Sequence, residues 1–582
     1  MIDLIRNKKH SLKYIFGLFI AFIIVFFLYK NLLYSPFLLH WDDAKNIVDN
    51  NAIKEVSLHS IKTLFSSLYV EMYVPITQLT YLLDYQSFGL LPFGFHISSL
   101  IYHFIATFIV FFFFSFFFDK KISFILSIIF LVHPVNIEPI AWLSARSTII
   151  FTLFYLLSLV QYIMYLKKGG KLYFFLTFFF FLLSVLAKST AITLPVVLIG
   201  LDCFYTKACK ASFVINKIPF FIVSIIIGYI TTLSKIQPPL EYSYWENLLL
   251  VSYRIFFYIS KFIFPVHYSA FYTIIPQHLN MILFLSLLLY SLLILFVYWL
   301  IRKRLYLKKP LIVLGTFLFL TTILINLNIV PFTVQIISDR YMYLPMVGLL
   351  IVLGFFMQHQ KHMIVIVALF SIYFLLTSVK YIDYWKNETT LFQHTLENNP
   401  NAIPVKNIMV SIYKNKHEYR KALKLANEIL SQYPNYVEAL NNRGSLYLKL
   451  KEYKKAFFDF NKIITLNKAG AATYINLGNL YFSLKQYPLA IKAYEKAISL
   501  DSSSFLAYDH LGRVYAYIKK PEKAEYYLTK AISLNITYGM SYQTRGMVYI
   551  IYYKDITKGC KDLKTAEKYG INVRELIKKF CN

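Results

Sequence analysis

Charge is scarce in this 582-residue chain, and negative charge scarcer still: Asp, Glu, Lys and Arg together make up 15% of it, with 30 acidic residues against 60 basic ones. That scarcity excludes an ordinary soluble globular protein, in which roughly a quarter of residues are charged and about half are apolar. What replaces charge is hydrophobic, 58% of residues with 19% aromatic and a mean hydropathy of +0.53, the composition of a polytopic membrane protein. Cysteine is also rare, four in all, and no pair has the spacing of a zinc site. A small-residue cleavage site is missing after the first apolar run. Arg6, Lys8 and Lys9 therefore introduce a retained anchor with a cytoplasmic start rather than a signal peptide. The net charge of +30 does not imply a nucleic-acid partner, because the basic residues before Tyr381 sit mostly in short loops, where they set topology.

Runs such as 14–33, 95–118 and 311–327 are long enough to cross about 30 Å of hydrocarbon as helices. Basic clusters at Lys120-Lys121, Lys167 to Lys171, Lys207 with Lys210, Arg302 to Lys309 and Lys361 fall in every second loop, as the positive-inside rule requires. Segment 245–265 breaks the count: it carries Arg254 and Lys261 seven residues apart, on one helical face, and is expected to lie in the membrane interface. About eleven spans then cross, and the C-terminal region is extracytoplasmic. Were that segment to span, the later basic loops would fall on the wrong side. The fold expected is all-α: a membrane domain over 1–385, with a first outer loop at 35–92, and a polar, Lys-rich domain over 386–582.

That second domain repeats. Gly444, Gly478, Gly512 and Gly546 recur every 34 residues, as do Tyr447, Tyr481, Tyr515 and Tyr549, and Ala422, Ala456, Ala490 and Ala524. A 34-residue period is the tetratricopeptide signature, one helix pair per repeat. About five pairs starting near residue 400 are expected to stack into a curved solenoid. Its groove would take an extended peptide or a partner helix; the plainer alternative is a rigid spacer. Cys560 and Cys581 fall in the last pair at a spacing that permits a disulfide across two antiparallel helices, which needs an oxidising compartment; two buried free thiols are the alternative.

The membrane half holds the candidate chemistry. His40-Trp41-Asp42-Asp43 places two adjacent carboxylates just past the first span, in a long loop of the kind that is usually functional. One Asp would suffice as an N-cap for a helix starting at Ala44. Two allow one to act as general base on an acceptor hydroxyl while the other orients it. On the same predicted outer side lie His133-Pro134 with Glu138, Arg146, Lys188, and Asp339-Arg340. Ionisable groups at membrane depth are functional candidates, although snorkelling would account for Lys188 and Arg146 and a helix kink for His133-Pro134. Acids facing cations suit transfer from a lipid-linked anionic donor. Arg340, Lys188 and Arg146 would hold the phosphate, Asp42 or Asp43 would take the acceptor proton, and His133, Glu138 and Asp339 would support them. The leaving phosphate needs no general acid, so a single displacement with inversion is the simplest chemistry, with no metal and no cofactor.

These motifs, in this order, resemble the transmembrane and tetratricopeptide-repeat O-mannosyltransferase family, membrane glycosyltransferases of the GT-C type. The resemblance runs over nearly the whole length: Trp41-Asp42-Asp43, Pro92-Phe93-Gly94-Phe95-His96, His133-Pro134-Val135 with Glu138, Lys188, Arg340 to Pro345, then the repeats. It implies a catalytic acid in the first outer loop, a polyprenyl-phosphate sugar as donor, and repeats on the lumenal side, where proteins are glycosylated on Ser or Thr. By that resemblance Asp42 is the base and Asp43 its partner, although the residues themselves do not separate the two. Departures stand at Tyr73-Val74-Pro75, where an Arg is expected before the proline, and at Ser189, where an acid is common. The skew toward Lys, Asn, Ile, Phe and Tyr points to a bacterial chain, hence an undecaprenyl-phosphate sugar and a periplasmic outer side. Two other readings remain: an oligosaccharide ligase or polymerase of the O-antigen type, disfavoured because those keep their main loop late in the membrane domain, and a non-catalytic membrane-anchored scaffold.

Overall fold

The computed structural model describes residues 8–208, 210–234, 244–272, 284–288, 291, 309–327, 337–360 and 362–581. Among them the chain is helical, and its one β-bridge joins Tyr69 to Met72. It forms two compact units: Met1–Val48 with Ala52–Ala402, and Asp49–Asn51 with Ile403–Asn582. The main division falls between Ala402 and Ile403 rather than at 385, because Glu388–Asn398 is a helix that belongs to the first unit.

In the first unit five described helices are long and apolar enough to cross a membrane: Pro92–Phe114, Leu143–Lys168, Ser189–Thr206, Pro310–Leu327 and His362–Lys386. A sixth is broken, Lys120–Val132 meeting Pro134–Ala141 at 53°. Shorter apolar helices run over Leu12–Leu28, Lys171–Ala187, Ile218–Leu233 and Met346–His359. Part of the expected count of eleven falls on residues outside those described. The break at 133 follows from local chemistry: the proline ring drives His133 to an extended backbone (φ −68°, ψ 130°) and Pro134 has no N–H to continue the helix. Close packing is set by glycine at one crossing. A Cβ on Gly348 would lie 2.5 Å from the Gly315 carbonyl, so Pro310–Ile323 and Met346–His359 touch backbone to backbone.

The helix Tyr244–Ile263 differs from expectation. Its Arg254 and Lys261 do share a face, but that face is turned into protein, both side chains being buried. Arg254 donates to the Leu327 carbonyl at 2.5 Å, and Lys261 to the carbonyls of Val266 (2.5 Å) and His267 (2.8 Å). Carbonyls exposed by irregular backbone replace the headgroups a surface helix would meet.

The second unit is five helix pairs, from Ile403–Asn415 with Tyr419–Gln432 to Gly539–Val548 with Ile556–Lys568, followed by Arg574–Phe580. The 34-residue pattern has a steric cause. Ala422, Ala456, Ala490 and Ala524 are fully buried, and a Cβ on Gly478 would fall 2.5 Å from the Tyr494 ring of its paired helix. Arg–carboxylate forks tie the second and fifth pairs, Arg443 to Asp459 (2.9 and 2.8 Å) and Arg545 to Asp562 (2.8 and 3.0 Å). A disulfide joins Cys560 to Cys581 with their Cα atoms 5.6 Å apart.

Candidate functional site

The two acids of the loop after the first apolar helix have opposite surroundings. Asp43 is buried, and its carboxylate accepts three hydrogen bonds: from the Leu38 amide (3.0 Å), the Ser144 amide (2.9 Å) and the Ser144 hydroxyl (2.5 Å). Those bonds stitch the loop to the 3₁₀ turn Leu143–Arg146. Burial still pushes its carboxyl up to about 6, against the relief of the Ser144 and Leu38 bonds. Asp42 is half-buried, and among the described residues its carboxylate accepts no hydrogen bond. Burial raises it above the ordinary carboxylate value, while the charges of Arg340 and Lys45 pull it back and Glu71 pushes it up. An acid with open lone pairs within electrostatic reach of a guanidinium is equipped to accept a proton; one with three donors fixed on it is equipped to hold a loop.

Arg340 reaches this place from the far end of the membrane unit. Its backbone N–H donates to Glu138 Oε2 at 2.9 Å, its Nη1 pairs with Glu138 Oε1, and Ser338 Oγ donates to the same carboxylate at 2.8 and 2.9 Å. Glu138 is fully buried and holds Arg340 by one bond to its main chain and one to its guanidinium, whose Nη1 also donates to Ser338 Oγ. The guanidinium lies over Trp142 at 4.8 Å, Trp142 stacks on Trp41 at 4.1 Å, and Trp41 precedes Asp42. Arg340 thus lies within electrostatic reach of Asp42.

Asp339 is also buried. Its Oδ2 accepts from the Tyr272 hydroxyl at 2.8 Å, a hydroxyl that also receives Lys261 at 3.1 Å, and burial lifts the carboxyl to about 6.

The other sequence candidates stand elsewhere. Arg146 is fully buried, and its donors go to Asp84 (2.5 Å), the Phe95 carbonyl (2.6 Å), Ser99 (3.1 Å) and Thr80 (3.3 Å), with its guanidinium over Tyr81 at 4.7 Å. These bonds tie Arg146 between the Pro75–Phe88 and Pro92–Phe114 helices. Lys188, half-buried in an extended break between helices, donates to Thr148 at 2.8 Å. His133 uses both ring nitrogens at the helix break, one near the Phe262 carbonyl (3.0 Å) and one accepting from the Val135 amide (3.3 Å). The structure therefore brings Asp42, Asp43, Glu138, Asp339 and Arg340 together, leaves Arg146 and His133 in separate packing roles, and sets Lys188 apart from that group, on Thr148.

Sequence reasoning missed Ser144, Trp142 and the turn at Tyr69–Met72. In that turn Val70 and Glu71 both adopt positive φ, 48° and 58°. A β-branched residue there is strained, and the turn puts Glu71 within electrostatic reach of Asp42.

Among known proteins, the tetratricopeptide repeat family matches residues 471–504 and, by a second profile, 437–469 and 506–535. A Protein O-mannosyl-transferase of Caenorhabditis elegans is 28% identical over 190 residues, 30% of this chain and 26% of that protein. Protein O-mannosyl-transferase TMTC3 of Homo sapiens is 27% identical over 190 residues, 30% of this chain and 20% of that one. The chain resembles the protein O-mannosyl-transferases. It matches only about a quarter or less of the length of these transferases. Among solved structures, a tetratricopeptide repeat protein from Parabacteroides merdae is 20% identical, covering 49% of this chain and 97% of that one, with a TM-score of 0.30.

Proposed function

We propose that this protein is an inverting membrane glycosyltransferase that moves a hexose from a polyprenyl-phosphate donor to Ser or Thr hydroxyls of proteins on the outer side of the membrane. The observation that carries this is the Asp42 carboxylate, which accepts no hydrogen bond among the described residues and lies within electrostatic reach of an Arg340 tied to Glu138. Asp42 takes the proton of the acceptor hydroxyl as its oxygen attacks the anomeric carbon. The bond from that carbon to the phosphate oxygen breaks on the opposite face, and the electron pair leaves on polyprenyl phosphate. Arg340 meets the developing phosphate charge, a stabilisation that grows in the transition state. Lys188 is a second cation for the donor, and Arg146 is assigned a structural role.

Asp43 holds the loop to Ser144, and Glu138 with Asp339 shapes the acidic wall behind Arg340. With two side-chain cations for a monophosphate, transfer is expected to persist in chelator. The repeats bind the acceptor or a partner protein, in keeping with the resemblance to transferases that pair a membrane domain with repeats. The Cys560–Cys581 bond fits an extracytoplasmic tail.

The test uses membranes carrying the wild-type chain or Asp42→Asn, supplied with radiolabelled polyprenyl-phosphate hexoses and total envelope protein. Label entering protein only with wild type supports the transferase and names its sugar. Label entering glycan instead would favour a ligase, and no label from folded protein would favour a scaffold.

A further inference from the structure

Two residues one turn apart on the Glu388–Asn398 helix grip the two residues that precede Asp42. The Glu388 carboxylate accepts the His40 backbone N–H on Oε1 at 2.6 Å, and its Oε2 lies 2.6 Å from His40 Nδ1. Four residues on, the buried Phe392 ring packs against Trp41 with centroids 5.6 Å apart. The i, i+4 spacing puts both contacts on one face of the helix.

That helix is itself held at both ends. Asn387 caps it by accepting from the Thr390 amide at 3.0 Å, which leaves Glu388 in the first turn, where the helix dipole favours an anion. At the other end Thr395 accepts from the Ala270 amide (3.4 Å), Asn398 donates to the Tyr268 carbonyl (3.1 Å) and Asn399 to the Ser269 hydroxyl (2.8 Å).

A carboxylate that bonds both the main chain and the ring of one residue fixes its orientation as well as its position. His40 and Trp41 are thereby set on one side of Asp42, and Asp43, with its three hydrogen bonds, on the other. Asp42 is the one carboxylate of the tetrapeptide that accepts no hydrogen bond from a described residue, and both of its neighbours are held by their own contacts.

We propose that Glu388 and Phe392 form a latch that aims the Asp42 carboxylate at the acceptor hydroxyl. They are positioning residues, acting through His40 and Trp41, and the proposal rests on the assignment of Asp42 as base. A latch on the base controls alignment in the reacting complex and not capture of the donor. Its loss therefore lowers kcat and leaves the donor KM close to its original value. A displacement of about 1 Å costs on the order of 100-fold in rate.

The experiment compares full-length wild type, Glu388→Ala, Glu388→Gln, His40→Ala and Lys386→Ala in proteoliposomes, with the labelled polyprenyl-phosphate hexose that wild type uses and envelope protein as acceptor. Glu388→Ala is expected to lose roughly 10–100-fold in kcat with donor KM within about twofold. Glu388→Gln keeps an oxygen for the His40 N–H and an amide for the other imidazole tautomer, and is expected to recover most of the rate. Lys386→Ala removes only a half-exposed pair with Asp383 and is expected to match wild type. If Glu388→Ala fails to fold, His40→Ala carries the test, with a several-fold fall in kcat expected. Wild-type kcat in either alanine variant overturns the latch, as does a change confined to KM or a loss that Glu388→Gln does not relieve. Absence of transfer by wild type instead overturns the base assignment itself, and the latch with it.

Discussion

Asp43 gives one carboxylate oxygen to both donors of Ser144, the amide at 2.9 Å and the hydroxyl at 2.5 Å. Its neighbour Asp42 accepts no hydrogen bond among the described residues. The same substitution at these adjacent positions is therefore expected to have opposite consequences. Asp43→Asn turns an NH2 group toward the Leu38 or Ser144 donors and leaves a buried donor unmet, which costs about 1–3 kcal/mol. Its thermal midpoint in detergent should fall. Asp42→Asn should keep the wild-type midpoint while transfer drops by a factor of about 10² to 10⁴, the usual range for a general base.

Proton linkage gives a signed prediction. Asp43 titrates near 6 in the fold against an ordinary 3.8, so the folded state holds the extra proton between those values. Stability contributed by this site is then full below about 4, declines as pH rises to about 6 and is flat beyond. Asp339, also near 6, acts in the same direction. Unfolding midpoints across pH 4 to 7 measure the slope, and Asp43→Asn should reduce it.

Catalysis should respond to pH with the other sign, because Asp42 works ionised. Activity is expected to fall on acidification with a midpoint above the ordinary carboxylate range, since burial raises Asp42. Arg340 lowers that value, so Arg340→Gln should move the acid limb to higher pH as well as raise the donor KM. A limb that stays in place would separate Arg340 from the base.

The turn at Val70 and Glu71 offers a test of stored strain. Val70→Gly removes the Cβ penalty at φ 48° and is expected to stabilise the membrane unit by about 1 kcal/mol. A lowered midpoint would mean that the Val70 side chain is worth more than the strain it carries.

Backbone contact between Gly315 and Gly348 leaves no room for a side chain. Gly348→Val should force apart the helices that flank the Arg340 segment, with a loss on the order of 1–3 kcal/mol and reduced activity. A substitution of Gly89, where no atom lies within 4 Å but φ is +60°, tests conformational cost alone.

The membrane half and the 34-residue repeats were legible in the residues, because each is a statement about periodicity or apolar length. The role of each ionisable residue was not. Arg146 and Arg340 are alike in type and expected side of the membrane, yet one is enclosed by Asp84, Phe95 and Thr80 and the other is tied to Glu138 within electrostatic reach of Asp42. Arg254 and Lys261 share a face as their spacing requires, but only packing turned that face toward carbonyls instead of lipid headgroups. Likewise nothing local tied His40 to Glu388, 348 positions away. A sequence determines which groups are costly to bury and how often they recur; which partner relieves each cost depends on contacts between distant segments, and those exist only once the chain has folded.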